Sequence, residues 1–226
     1  MLIDTSGSVQ ERFSFEKYAA YRFLEQLLTN SLDLAFVAGF ANTTTVTQDF
    51  TSDRAALMKG INQLTNRGGT SLFDAVSFAC GKLAAYPERE RVAKVLVILS
   101  DGEDNSSHTT LRHAIRDAEV AGVTIYSIST KEDSGTKTAA DQVLEALAER
   151  SGGEALFPGD SITLRRSFDK LRDLIRSRYL VAYKPADFEA NGKYRSIEVI
   201  AEKDGKRLTV HARKGYRAPV SALPVE

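Results

Sequence analysis

Residues 91–102 read Arg91-Val92-Ala93-Lys94-Val95-Leu96-Val97-Ile98-Leu99-Ser100-Asp101-Gly102. The aliphatic run at 95–99 is far short of the roughly 20 residues a membrane span needs. It suits a strand covered on both faces, as in the middle of a parallel sheet. The run ends on Ser100-Asp101-Gly102, so a hydroxyl and a carboxylate stand at the carboxyl end of the strand. In an open α/β sheet, ligands bind at that edge.

On both sides of this strand, strand-like and helix-like segments alternate. Leu2-Ile3 is a strand stub, and 9–29 follows a helical period with Phe13, Tyr18, Tyr21, Leu24 and Leu28 as candidate buried positions. Residues 32–40 are short and apolar, and 43–50 are β-branched and alternating, which predicts a strand and its hairpin partner. A helix over 53–64 has Asp53 as its cap, 66–70 form a turn, and 71–85 form the next helix. Beyond the central strand come a helix over 109–121 ended by Gly122, a strand over 123–129 and a polar loop over 132–138. A helix over 139–150, a short strand over 155–157 and a helix over 161–177 follow. Alternating βα units of this kind predict a Rossmann-like, doubly wound, mostly parallel sheet flanked by helices.

The pattern changes after Arg178. Three strands are expected at 179–183, 194–201 and 207–212 with no helix between them, and Asp204-Gly205 is a hairpin signal. The expected organisation is therefore one α/β domain over 1–178 and a C-terminal antiparallel β extension over 179–226, packed on or extending the same sheet. A core strand normally has five or six residues. With only three before the first polar loop, the first strand reads as cut short, and an apolar extension and an export signal are expected upstream of Met1.

The chain has 226 residues, with 30 Lys+Arg against 30 Asp+Glu and a formal net charge of zero. No global field draws it to nucleic acid or an anionic membrane. One cysteine, Cys80, excludes an internal disulfide or a cysteine-rich metal site, and it reads as a small core residue. The histidines His108, His113 and His211 fit no paired metal-ligand spacing.

Asp4-Thr5-Ser6-Gly7-Ser8 places oxygen side chains at alternate positions as the chain leaves its first strand. Alternate residues of an extended segment point the same way, so Asp4, Ser6 and Ser8 can converge. Carboxylate and hydroxyl oxygens suit a hard cation such as Mg²⁺ or Mn²⁺ rather than zinc. The same residues are also ordinary helix caps. Gly68-Gly69-Thr70-Ser71-Leu72-Phe73-Asp74 delivers a second hydroxyl just before a helix, and Ser100-Asp101-Gly102 a carboxylate at the end of the central strand.

Together, Asp4-x-Ser6-x-Ser8, Thr70 within Gly-Gly-Thr, and Asp101 within Ser-Asp-Gly resemble the metal-ion-dependent adhesion site of von Willebrand factor A domains. The resemblance covers roughly four-fifths of the chain, and all five ligand positions occur in the family's order. It implies that Ser6, Ser8 and Thr70 bind Mg²⁺, Mn²⁺ or Ca²⁺ through hydroxyls, with Asp4 and Asp101 acting mostly through water. Asp74, Gly69 and Gly102 would support these ligands, Asp74 by hydrogen-bonding the glycine loop. The implied role is binding a protein partner that presents a Glu or Asp carboxylate, with no catalysis. The tail, with Tyr179–Tyr183, Gly192–Val199 and Arg213–Pro219, is similar to a bacterial "VWFA-related" family that is usually exported, which implies an extracytoplasmic location.

Other readings stay open at this level. A haloacid-dehalogenase-like phosphatase would use Asp4 as nucleophile and Ser100 as a later motif, with Lys131 and Asp133 behind them. The acid expected two residues after the nucleophile is Ser6 instead, and a hydroxyl is a poor proton donor near neutral pH. No G-x-S-x-G elbow, P-loop or G-x-G-x-x-G is present. A purely structural metal site is a further alternative. Arg165, Arg166, Lys170, Arg172, Arg176 and Arg178 read as a solvated basic face, and Glu103 and Asp104 as exposed loop acids. Tyr179, Tyr183, Tyr194 and Tyr216 suit half-buried strand positions.

Overall fold

The structure, a computed structural model, describes residues 1–7, 13–30, 32–66, 68–87, 92–131, 136–179, 181, 183, 185 and 189–218, with the backbone alone at Ser161. The elements follow the expected alternation. They are β1 (Leu2–Asp4), α1 (Phe13–Leu27), β2 (Ala35–Phe40), β3 (Thr44–Thr51), α2 (Arg54–Gln63), α3 (Leu72–Ala85), β4 (Lys94–Ser100) and α4 (Leu111–Ala121). Then come β5 (Val123–Ser129), α5 (Ala139–Ser151), β6 (Ala155–Leu156) and α6 (Ser161–Arg176). The expected start of α1 at 9–12 lies outside the described residues.

The six strands form one sheet in the order β3-β2-β1-β4-β5-β6. All neighbours are parallel except β2 and β3. The chain winds outward from β1 to β3, returns to β4 beside β1, and winds the other way. The reversal leaves a crevice between the carboxyl ends of β1 and β4, where this topology places ligands.

The sheet separates two cores. Alternate strand residues point to opposite faces, so Ile3, Val97 and Leu99 meet α1, α2 and α6 through Phe23, Leu57 and Phe168. Leu2, Leu96 and Ile98 meet α3, α4 and α5 through Leu72, Ala118 and Leu144. This two-sided burial is why the 95–99 run has no polar interruption. Cys80 is fully buried in the second core, as expected. On α1, Phe13 and Leu24 are buried, as is Leu28 just beyond its end, but Tyr18 is exposed.

The helix ends carry the caps the sequence predicts. Asp53 accepts from the amides of Ala55 and Ala56, and Gly122 closes α4 in the left-handed conformation. Arg165 and Arg166 of α6 are exposed, as a solvated face requires, but two other cations of the helix reach across to α1 and the turn after it. Arg172 donates to Gln26 at 3.2 Å. Arg176 reaches Leu27 O, Thr29 Oγ1 and Asp33 Oδ2. They fasten α6 to the end of α1 and the turn beyond it.

The antiparallel extension is present, but it does not continue the six-stranded sheet. Among the described residues, β7 (Tyr194–Ser196) pairs with β10 (Gly215–Arg217), and β8 (Glu202–Lys203) pairs with β9 (Lys206–Arg207). The Asp204-Gly205 turn has φ of 53° and 72°, the positive pair that a tight hairpin requires. The strand expected over 179–183 is absent at Tyr179, Val181 and Tyr183, while Leu180 and Ala182 lie outside the described residues. Tyr179 is 92% exposed rather than half-buried. The free edge beside the tail is β6, whose two residues offer almost no ladder for another strand. The tail instead touches the body through His211 Nε2, 3.5 Å from Glu154 Oε2.

Candidate functional site

Asp4 ends β1 at the middle of the sheet, beside Phe40 of β2 in register. Its side chain is fully buried. Oδ1 accepts the Ser6 amide at 2.9 Å, and Oδ2 accepts the Ser100 hydroxyl at 2.7 Å. Ser100 Oγ in turn accepts the Gly102 amide at 3.1 Å. Burial pushes the Asp4 carboxyl up from 3.8 to about 6, and the nearby Asp101 charge adds to this, against the pull of its hydrogen bonds from Ser100 and Ser6. Asp101 is 9% exposed and accepts the Glu103 amide at 3.1 Å.

The three loops singled out from the sequence meet. The Gly7 amide donates to Gly68 O at 3.1 Å, which ties the loop after β1 to the glycine turn before α3. Thr70 O accepts the amides of Asn105 and Ser106, both at 3.0 Å, which ties that turn to the loop after β4. Asp4, Ser6, Thr70 and Asp101 therefore lie on loops joined to one another at one sheet edge. Ser8 and Asp133 lie outside the described residues.

A side chain at Gly69 would displace the neighbouring polar side chains that hold the turn. The Gly69 amide donates to Asn42 Oδ1 at 2.6 Å. A Cβ there would stand 2.6 Å from Ser106 Oγ and 2.8 Å from Asn42 Oδ1. Thr70 is 2% exposed, and its hydroxyl makes no hydrogen bond to the described residues. Among those residues no three His, Cys, Asp or Glu side chains could hold a metal ion together. The oxygens this edge offers a hard cation are the Ser6 and Thr70 hydroxyls and the Asp4 and Asp101 carboxylates, a donor set that fits one.

Two expectations change. Asp74 does not hold the glycine turn. Its Oδ2 accepts the His108 amide at 2.9 Å and its Oδ1 the Thr109 amide at 2.8 Å. Burial works upward on its pKa, but these amides and the His108 ring hold the carboxyl below the usual range. Asp104 is more than an exposed loop acid, because its Oδ1 accepts the Leu72 amide at 2.9 Å and the Ser107 hydroxyl at 2.6 Å. Residue-type reasoning also missed Asn42, Asn105 and Ser107. The polar run 104–107 contains Asn105 and Ser107, but nothing in the sequence marks which of its side chains are engaged.

Comparison with known proteins agrees with this architecture. The family model described as the von Willebrand factor type A domain matches residues 1–174. No curated protein matches. Among solved structures, a von Willebrand factor type A protein from Catenulispora acidiphila superposes with a TM-score of 0.64 at 21% identity, over 76% of this chain. The matched region spans only 40% of that longer chain. The vWF domain of the type V pili tip protein Mfa5 from Porphyromonas gingivalis superposes with a TM-score of 0.62 at 17% identity, over 80% of this chain and 96% of that one. BatB, a conserved hypothetical protein from Bacteroides thetaiotaomicron, gives 0.59 at 14% identity, over 78% and 97%. At such identities the superpositions carry the fold, and the family model carries membership. The chain belongs to the von Willebrand factor type A domain family.

Proposed function

We propose that the edge formed by the loops after β1, before α3 and after β4 is a metal-ion-dependent adhesion site that binds a protein partner through an acidic side chain. The observation that carries this reading is the Thr70 hydroxyl. It belongs to a residue 2% exposed, has no hydrogen-bond partner among the described residues, and sits on the turn joined to the loops of Asp4 and Asp101. Ser6, Ser8 and Thr70 would hold Mg²⁺, Mn²⁺ or Ca²⁺ through hydroxyls, and Asp4 and Asp101 through water. Ser8 is assigned from the sequence alone. The bound cation supplies a concentrated positive charge with exchangeable positions for an external carboxylate. The chain's own contribution would be to hold its two carboxylates in place near the hydroxyl ligands. Asp4 is committed at both oxygens to Ser6 and Ser100, which suits a supporting anion better than a nucleophile.

On this reading the protein binds without turning over a substrate. The likeness to the domain of a pilus tip protein accords with a protein partner and with a location outside the cytoplasm. The tail's likeness to the bacterial "VWFA-related" group accords with the same location. Isothermal titration of Mg²⁺ and Mn²⁺ tests the metal assignment. Wild type should bind and Thr70→Ala should not; equal binding by both sinks it. A partner captured by wild type and lost with either EDTA or Thr70→Ala separates adhesion from a structural ion. Phosphatase turnover abolished by Asp4→Asn would favour the enzyme alternative.

A further inference from the structure

We infer that Asn105 is the residue that positions Thr70 for the cation, so that the loop after β4 holds one hydroxyl ligand as well as carrying Asp101. The inference rests on the metal reading above. Asn105 Oδ1 accepts the Thr70 amide at 2.8 Å. The amides of Asn105 and Ser106 both donate to Thr70 O at 3.0 Å. Both backbone polar groups of Thr70 are therefore held by one dipeptide 35 residues away.

This matters because nothing on Thr70's own side chain directs its hydroxyl. A β-branched side chain has few allowed χ1 positions for a given backbone, so fixing the backbone of Thr70 narrows Oγ1 to a few directions. The Ser106 hydroxyl donates to Asn105 Oδ1 at 2.7 Å and holds that carbonyl in place.

The neighbouring residues make the arrangement rigid. Ser71 stands at the cap of α3 but makes no side-chain capping bond. The first amides of α3 are satisfied from across the edge instead. Leu72 N donates to Asp104, and Phe73 N and Asp74 N donate to Ser107 Oγ at 3.1 Å. A helix start leaves its first amides without internal partners, and here the loop behind Asp101 supplies them. The turn bearing Thr70 and the loop bearing Asp101 thus move as one body. A hard cation is held best by ligands placed before it arrives.

The test is Mn²⁺ titration of the full chain, together with hydrogen exchange of the Thr70 amide in the metal-free protein. Asn105→Ala should weaken Mn²⁺ about tenfold, the scale of one net hydrogen bond. It should also speed exchange at Thr70 about tenfold, with a single cooperative urea transition whose midpoint falls only by the loss of one hydrogen bond. Asn105→Asp keeps the acceptor and should restore both. Ser106→Asp on the Asn105→Ala background adds charge without an acceptor for Thr70 N, and should restore neither. Wild-type exchange at Thr70 in Asn105→Ala, wild-type Mn²⁺ affinity in that variant, or full rescue by Ser106→Asp would each overturn the inference. If wild type fails to bind Mn²⁺, the metal reading falls with the titration, and the exchange arm still decides whether Asn105 holds Thr70.

Discussion

The Ser100 hydroxyl donates to Asp4 Oδ2 at 2.7 Å, joining residues 96 apart in sequence at the ends of adjacent parallel strands. The same oxygen accepts the Gly102 amide at 3.1 Å. One small side chain therefore satisfies a buried carboxylate and starts the turn that carries Asp101. Ser100→Ala removes both bonds and leaves two buried polar groups short of a partner. The expected cost is about 1–3 kcal/mol, or a fall in Tm of roughly 2–4 °C per kcal/mol for a chain of this size. Urea unfolding in EDTA measures it, and a variant as stable as wild type would refute the role given to Ser100.

Asp160 makes a pH prediction. Its carboxylate caps α6, with Oδ1 accepting the amides of Ile162 at 2.7 Å and Thr163 at 2.8 Å. The Thr163 amide and then the Thr163 hydroxyl hold its pKa below the usual value of 3.8. The folded protein therefore releases this proton more readily than the unfolded chain does. The capping contribution is complete above the unfolded pKa and is lost as pH falls through the folded one. Asp160→Ala should lower Tm at pH 7, and the gap to wild type should narrow as pH drops below 3.8. A gap that is constant with pH would mean that the carboxylate's charge plays no part in the cap.

Cys80 makes a reactivity prediction. It lies fully buried on α3. Burial first, and the charge of Asp117 second, push its thiol up to about 12. The thiolate is the reactive form, so both access and ionisation are denied. Iodoacetamide at pH 8 should leave the native protein unlabelled and should label it fully in urea. Stoichiometric labelling of the native protein within minutes would show that α3 opens far more often than its packing implies.

The fold was legible where burial imposes a period. A strand covered on two faces must be apolar throughout, so 95–99 announced β4. Asp4, Thr70 and Asp101 were legible for a related reason, since polar oxygens at the ends of apolar strands and before a helix stand out. Asn42 and Asn105 were not legible. Their bonds to Gly69 and Thr70 span 27 and 35 residues, and a loop asparagine engaged at that range has the same sequence appearance as a solvated one. The tail misled in the opposite direction. The pattern at 194–201 says that a strand would fit there, but not that a neighbouring edge is available, and only Tyr194–Ser196 forms one.

The last prediction weighs two ways of holding α6. Phe168 is 4% exposed, and its ring centroid lies 5.1 Å from that of Phe23 on α1. Arg176 reaches Asp33 Oδ2 at 2.7 Å, but its side chain is 40% exposed. Removing a buried phenylalanine costs about 3–5 kcal/mol, because the cavity closes only partly. An ion pair this open to water is screened and contributes about 0–1 kcal/mol. Phe168→Ala should therefore destabilise several-fold more than Arg176→Ala in urea titrations. The Arg176→Ala loss should shrink in high salt, and the Phe168→Ala loss should not. Equal losses would mean that the polar contacts at the end of α6, rather than the ring packing along it, set how firmly the last helix sits on the domain.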